Sequence, residues 1–228
     1  MKILAIESSA KAASVCMVED GKILAEAFLN CGLTHSVTIM PAVEWLLNMA
    51  GLTMDDIDRI AITEGPGSFT GLRIGMAAVK GLAWSRDIPC VGVSTLEAAA
   101  KGVAHIDGTI CAVMDARAGQ VYNALFRAEN GCLTRLCDDR AIKISELLEE
   151  LPEKENILVC GDGTEVFMKE AGEGFRAAPE NIRYQRASSV AFLAMEHDAV
   201  SAKTLSPEYI RLPQAERERL ERLEKEGK

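Results

Sequence analysis

Glu64-Gly65-Pro66-Gly67-Ser68-Phe69-Thr70-Gly71-Leu72-Arg73-Ile74-Gly75 lies between a short apolar run at residues 58–63 and a helical pattern over residues 69–85. A strand that feeds a glycine-rich turn and then a helix is the working unit of α/β architecture. The neighbouring sequence continues the unit in both directions. Upstream, residues 2–7, 14–18 and 23–29 are apolar runs of strand length. Glu19-Asp20-Gly21-Lys22 separates the last two, and Asp-Gly between apolar runs signals a hairpin. Residues 34–49 have helical length and period: Ile39, Val43 and Leu46 form a stripe that Val37, Met40 and Leu47 widen. Pro41 sits in the first turns, where its missing N–H costs little, and Gly51 ends the helix. Downstream, residues 90–93 form a further strand and residues 95–103 a further helix. The order β-β-β-α-β-α-β-α predicts a central sheet covered by helices.

A second pass of the same kind begins near Thr109. Residues 110–115 and 120–127 are strands, and 132–137 is a weaker third. A short helix is expected at 144–151 and a strand at 157–160, ended by Gly161-Asp162-Gly163. Residues 166–171 and 188–199 are helical. The halves share an order without a sequence repeat. This predicts an N-terminal lobe at 1–106 and a smaller C-terminal lobe at 107–212. The charged stretch 213–228 is expected to be a helix fraying at its end.

Composition narrows the function. The 228 residues are 48% apolar and carry a formal charge of −9, so an independent grip on nucleic acid is disfavoured. The seven cysteines have no Cys-x-x-Cys spacing, which argues against zinc and redox sites and for a reducing, cytoplasmic setting. Residues 1–7 read as a strand rather than a signal peptide. No apolar stretch approaches the ~20 residues that span a bilayer.

The glycine segment has two physical readings. Glycines at a helix start can cradle an anion, but the spacing is neither a Walker loop nor a convincing Gly-x-Gly-x-x-Gly. Alternatively, Gly71 and Gly75 share one helical face and open a groove for close helix approach, internal or external. Glycine inside a helix costs ~1 kcal/mol relative to alanine, so two such positions need a compensating contact. Helices 34–50 and 69–85 also carry apolar residues on more than one face. Met40, Trp45, Leu46, Leu47 and Met49 lie on the first, and Leu72, Ile74, Met76, Val79, Leu82 and Trp84 on the second. A helix covering one sheet needs one stripe; a surplus points to a second buried surface.

Five passages together carry a resemblance. They are Ile3-Leu4-Ala5-Ile6-Glu7-Ser8-Ser9, Thr34-His35-Ser36, the Glu64–Gly75 segment, Asp115-Ala116-Arg117 with Val121-Tyr122, and Pro207-Glu208-Tyr209-Ile210-Arg211. The chain resembles the TsaB (YeaZ) family from residue 1 to about 213. The resemblance implies an actin/Hsp70/sugar-kinase-like fold with two lobes of related topology, the second reduced. It also implies a role in making N6-threonylcarbamoyladenosine at position 37 of tRNA. Family members serve as non-catalytic scaffolds that bind and activate the catalytic paralogue TsaD, with the small ATPase TsaE joining. Homodimers form through the same helical surface, and tRNA is engaged only indirectly.

On this reading the partner interface comprises His35, Ile39, Met40, Val43, Leu46, Leu47, Gly71, Leu72, Gly75, Met76 and Val79. Candidate nucleotide or cleft residues are Glu7, Ser8, Ser9, Asp115, Arg117, Gly161 and Gly163. ATPases of this fold place an aspartate and a glycine turn where this chain has Glu7-Ser8-Ser9-Ala10. No cofactor of its own is therefore expected, with ATP at a subunit boundary in the complex. TsaD-like proteins bind metal through His-x-x-x-His; the matching run here is Val93-Ser94-Thr95-Leu96-Glu97-Ala98-Ala99, with Thr95 and Ala99 at the ligand positions. No metal site is expected. His35 reads as a capping or packing residue, with Thr34 as N-cap. Ser8, Ser9 and Ser68 have no His–Asp relay fixed by sequence, which disfavours a serine hydrolase. The alternative function is an active ATPase or small-molecule kinase of the same fold.

Overall fold

The computed structural model describes residues 1–151 and 156–211. Strand β1 (Lys2–Glu7) pairs antiparallel with β2 (Ala13–Glu19), which pairs with β3 (Lys22–Leu29). Asp20 and Gly21 take left-handed backbone angles at the hairpin, the conformation that Asp-Gly supplies. Helix α1 (His35–Ala50) leads through a short 3-10 turn to β4 (Arg59–Gly65), parallel to β1. Helix α2 (Phe69–Trp84) and β5 (Cys90–Ser94) complete a five-stranded sheet of order β3-β2-β1-β4-β5. The central strands are buried on both faces, which is why they read as unbroken apolar runs.

Helix α3 (Thr95–Gly102) crosses to the second sheet. There β6 (Gly108–Arg117), β7 (Gln120–Glu129) and β8 (Cys132–Arg135) form a meander. Strand β9 (Arg140–Lys143) adds to β7; helix α4 (Ile144–Glu150), strand β10 (Ile157–Cys160), helix α5 (Thr164–Ala171) and strand β11 (Arg176–Ala177) follow. The sheet order β8-β7-β6-β10-β11 matches β3-β2-β1-β4-β5 of the first sheet strand for strand. This doubled topology is the two-lobed actin-like arrangement expected. The second lobe is reduced in its helices: α4 has 7 residues and α5 has 8, against 16 in each of α1 and α2. It is not reduced in strand number, because β9 is added beside β7.

The expected lobe boundary at residue 212 needs refining. After helix α6 (Glu180–Arg183) the chain returns to the first lobe. Helix α7 (Ala187–Leu193) packs with β1, β2 and Ala98 of α3 on the sheet face opposite α1 and α2. Cys90 and Val200 bridge backbone to backbone, and Ala202 and Leu205 join the α1/α2 core. The expected tail at 213–228 lies outside the described residues. Helix α3 links the two sheets: Ala98 joins the core of the first, while Leu96, Ala99, Ala100 and Val103 pack with Ala10 against β6 and β7. Among the described residues, no helix is long and apolar enough to cross a membrane.

Candidate functional site: a paired-helix surface and an interlobe turn

Helices α1 and α2 lie side by side over one face of the first sheet. Their C-terminal ends are tied through Arg86, which is ion-paired with Asp55 just beyond α1. Amphipathic period decides which residues they bury. Ile39, Val43, Leu46, Leu72, Met76 and Val79 are core side chains, at most 4% exposed. The expected partner interface is therefore corrected at these positions, because the chain's own sheet occupies the stripe. Leu47 is half-buried against the same core, and Met40 stays exposed. The surface presented outward is a different apolar set: Val37, Met40, Trp45 (51% exposed) and Met49 (66%) on α1, and Trp84 (67%) on α2. A cavity of about 450 Å³ opens beside Trp84, lined also by Arg86, Asp87 and Lys203.

The helical glycines also face inward. A Cβ on Gly71 would lie 2.2 Å from the Ser8 carbonyl oxygen and 3.2 Å from the His35 ring. One on Gly75 would lie 2.1 Å from Ser8 Oγ. The contact is internal, but its partner is the Ser8–Ser9 turn rather than a closely packed helix, so the helix-groove expectation is corrected. His35 is buried beside them, with Nε2 at 2.8 Å from the Ala10 carbonyl oxygen. Thr34 occupies the N-cap position, but its side chain makes no cap bond. Its hydroxyl instead meets Ser36 Oγ at 3.3 Å.

The residues read as candidate cleft groups converge where the lobes meet. Glu7 is fully buried; its Oε1 accepts from Ser9 N at 2.8 Å, from Thr63 Oγ1 at 3.3 Å and from the Ser9 hydroxyl. Ser8 Oγ donates to the Gly71 carbonyl at 3.0 Å, and Ser68 N donates to the Ser9 carbonyl at 2.6 Å. The turn that would face a phosphate thus spends these groups on the Glu64–Gly75 segment of its own chain. Burial pushes the Glu7 carboxyl up to about 7. Across the junction, burial and the neighbouring Asp115 carboxylate push Asp162 up to about 6. Gly161 and Gly163 pack against β6, since a Cβ on either would fall within 2.1 Å of Val113 O or 2.7 Å of the Met114 carbonyl carbon. Asp115 and Arg117 are exposed and form a local turn, with Arg117 N donating to Asp115 Oδ1 at 2.8 Å.

At the positions of the paralogue's metal ligands, Thr95 and Ala99 are buried in α3. Among the described residues, no group of three or more His, Cys, Asp or Glu side chains converges as a metal site would. The sequence reading missed the role of residues 205–211. Glu208 N donates to the Glu64 carbonyl at 2.7 Å, Tyr209 stacks on Phe69, and Arg211 Nη1 donates to the Ala116 carbonyl at 2.8 Å. This strap joins the α2 approach to the interlobe turn. Its motif was visible, but its contacts lie about a hundred residues or more away in sequence.

Comparison with known proteins places this geometry. A family model described as TsaD, tRNA N6-adenosine threonylcarbamoyltransferase, matches residues 30–218. The tRNA threonylcarbamoyladenosine biosynthesis protein TsaB of Bacillus subtilis (strain 168) is 38% identical over 95% of this chain and 96% of its own. The protein of the same name from Escherichia coli (strain K12) is 42% identical over 58% of each chain. A solved structure from Pseudomonas aeruginosa, described as an uncharacterized protein with similarity to peptidase YeaZ, superposes with a TM-score of 0.80. It shares 25% identity and covers 92% of this chain and 99% of its own. With a doubled sheet and similarity over nearly the whole of both chains, the chain belongs to the TsaB family.

Proposed function

We propose that this chain is a non-catalytic scaffold subunit in the biosynthesis of threonylcarbamoyladenosine on tRNA. It acts in the cytoplasm by binding and activating the catalytic paralogue TsaD. The observation that carries the reading is the set of large apolar side chains that α1 and α2 turn outward, Val37, Met40, Trp45, Met49 and Trp84, with Glu44 and Arg73 as the exposed charges among them. Exposed aromatic and methionine side chains clustered on paired helices are the composition of a protein interface. Membership of the TsaB family supports TsaD as the partner. The ATPase TsaE joins the pair, and tRNA is met through TsaD, in keeping with this chain's net charge of −9. ATP binds at a subunit boundary rather than in the Ser8–Ser9 turn, whose groups engage its own chain. A second copy of the chain competes for the same face.

The test is co-purification of the chain with co-expressed TsaD of the same organism, followed by light scattering with and without that partner. A stoichiometric heterodimer, and transferase activity that depends on the chain, are the expected results. Magnesium-dependent ATP turnover by the isolated chain, lost in Glu7→Ala, would establish the kinase-like alternative instead.

A further inference from the structure

Arg73 stands on the solvent side of α2, in the second turn of the helix. Its guanidinium carbon lies 3.8 Å from the centre of the Phe69 ring, and its Nε donates to the Tyr209 hydroxyl at 3.1 Å. The two rings are themselves stacked, with centroids 4.8 Å apart. Tyr209 is in turn fixed by the strap, which is bonded to Glu64 on one side and Ala116 on the other. A free arginine side chain has about 2 kcal/mol of rotamer entropy to lose on binding. Here folding has already removed much of that freedom.

Among the described residues, Nη1 and Nη2 of this guanidinium have no hydrogen-bond or ion-pair partner. Arg86, at the far end of the same helix, is paired with Asp55, and Arg135 with both Glu97 and Asp139. A planar fork held at a set angle matches a carboxylate bidentately. The exposed positions that follow on its side of α2 are Ala77, Gly81 and Trp84, with the half-buried Lys80 as the one charge among them. An arginine and a tyrosine at the head of an apolar strip have the make-up of a binding hot spot between proteins. A nucleic acid fits less well, because the whole chain repels it.

We propose that Arg73, preset by Phe69 and Tyr209, is the anchor through which α2 grips a carboxylate on the partner protein. This inference rests on the docking reading above and names the polar contact that orients it.

The experiment is titration of the full chain with purified TsaD, alongside Arg73→Ala, Arg73→Lys, Tyr209→Ala and, as control, Arg127→Ala, an exposed arginine on β7 of the second lobe. Arg73→Ala should weaken binding on the order of 10- to 100-fold, as removal of one member of a desolvated charge pair does. Arg73→Lys keeps the charge but not the fork and should recover only part of that loss. Tyr209→Ala frees the side chain and should weaken binding roughly 3- to 10-fold through restored rotamer entropy. Arg127→Ala should bind as the wild type does. Melting temperatures of all variants report whether the fold is kept. If the wild-type chain does not bind TsaD, the docking reading falls and this inference with it. If the wild type binds and folded Arg73→Ala binds equally well, the inference alone is overturned. A parallel titration with tRNA supplies the third outcome: a loss confined to tRNA would make the ligand a phosphate and overturn the carboxylate assignment.

Discussion

Gly71 and Ser8 are in mutual contact across 63 residues of sequence: Ser8 Oγ donates to the Gly71 carbonyl, and no Cβ fits between Gly71 and the Ser8 backbone. A helical glycine kept for this reason should respond to alanine opposite to one kept for none. Gly71→Ala gains up to ~1 kcal/mol of helix propensity but forces backbone apart, at roughly 1–3 kcal/mol or more. Net destabilisation of about 1–2 kcal/mol is expected in denaturant unfolding. Gly81, on the same helix, is exposed, and a Cβ added there would meet nothing within 4 Å. Gly81→Ala should stabilise by roughly 0.5–1 kcal/mol.

The outward apolar face predicts a separation of binding from folding. Trp45→Glu, Met49→Glu and Trp84→Glu change exposed side chains and should leave the melting temperature within a few degrees. If the docking reading holds, they abolish co-purification with TsaD. Met76→Glu and Leu72→Glu place a carboxylate in the sheet-facing core and should unfold the chain, so their loss of binding would be uninformative. Circular dichroism beside the pull-down distinguishes the two sets.

The same helices show where sequence reading reached its limit. Periodicity found α1 and α2 and their apolar excess, because both helices have long, repeated patterns. It did not decide which stripe faces the sheet, since Ile39 and Leu46 are as apolar as Met40 and Trp45; packing against β1, β2 and β4 decides that. The strands Lys2–Glu7 and Ile157–Cys160 were legible as apolar runs. Arg140–Lys143 and Arg176–Ala177 were not, being short, partly charged and held in place by β7 and β10. Glu7 was visible as a candidate. Its proximity to Asp162 was not, because it depends on how the two lobes meet.

A half-buried ion network also fixes that meeting. Arg135 Nη2 lies 3.1 Å from Glu97 Oε2, Nη1 pairs with Asp139, and the guanidinium covers the Phe126 ring at 4.7 Å. Ser94 Oγ donates to Asp139, so the network runs from α3 of one lobe to the β8–β9 connection of the other. Arg135→Ala leaves two partly buried carboxylates without their cation and should cost about 2–3 kcal/mol, somewhat less than for a fully buried pair. Arg135→Lys keeps charge but loses the two-pronged geometry and should cost about half as much. Thermal unfolding at low and high salt checks both, with the deficit shrinking little as salt rises because the pair is shielded from it.

The buried carboxyls at the junction predict a pH dependence of definite sign. Glu7 is held at about 7 against an ordinary value of 4.5, and Asp162 at about 6 against 3.8. Desolvation is the main cause for both; the groups facing them are Ser9, Asp162 and Thr63 for Glu7, and Asp115 and Lys11 for Asp162. Between roughly pH 4 and pH 7 the folded chain therefore binds more protons than the unfolded one, and stability falls as pH rises through that window. Glu7→Gln removes the larger titration while keeping an oxygen for Ser9. Its unfolding free energy should vary less between pH 5 and pH 8 than the wild type's, by roughly 1–3 kcal/mol. Urea denaturation at closely spaced pH values measures the two slopes. Parallel slopes would mean that the Glu7 carboxylate is already ionised in the folded chain, and that the contacts of Oε1 outweigh its burial.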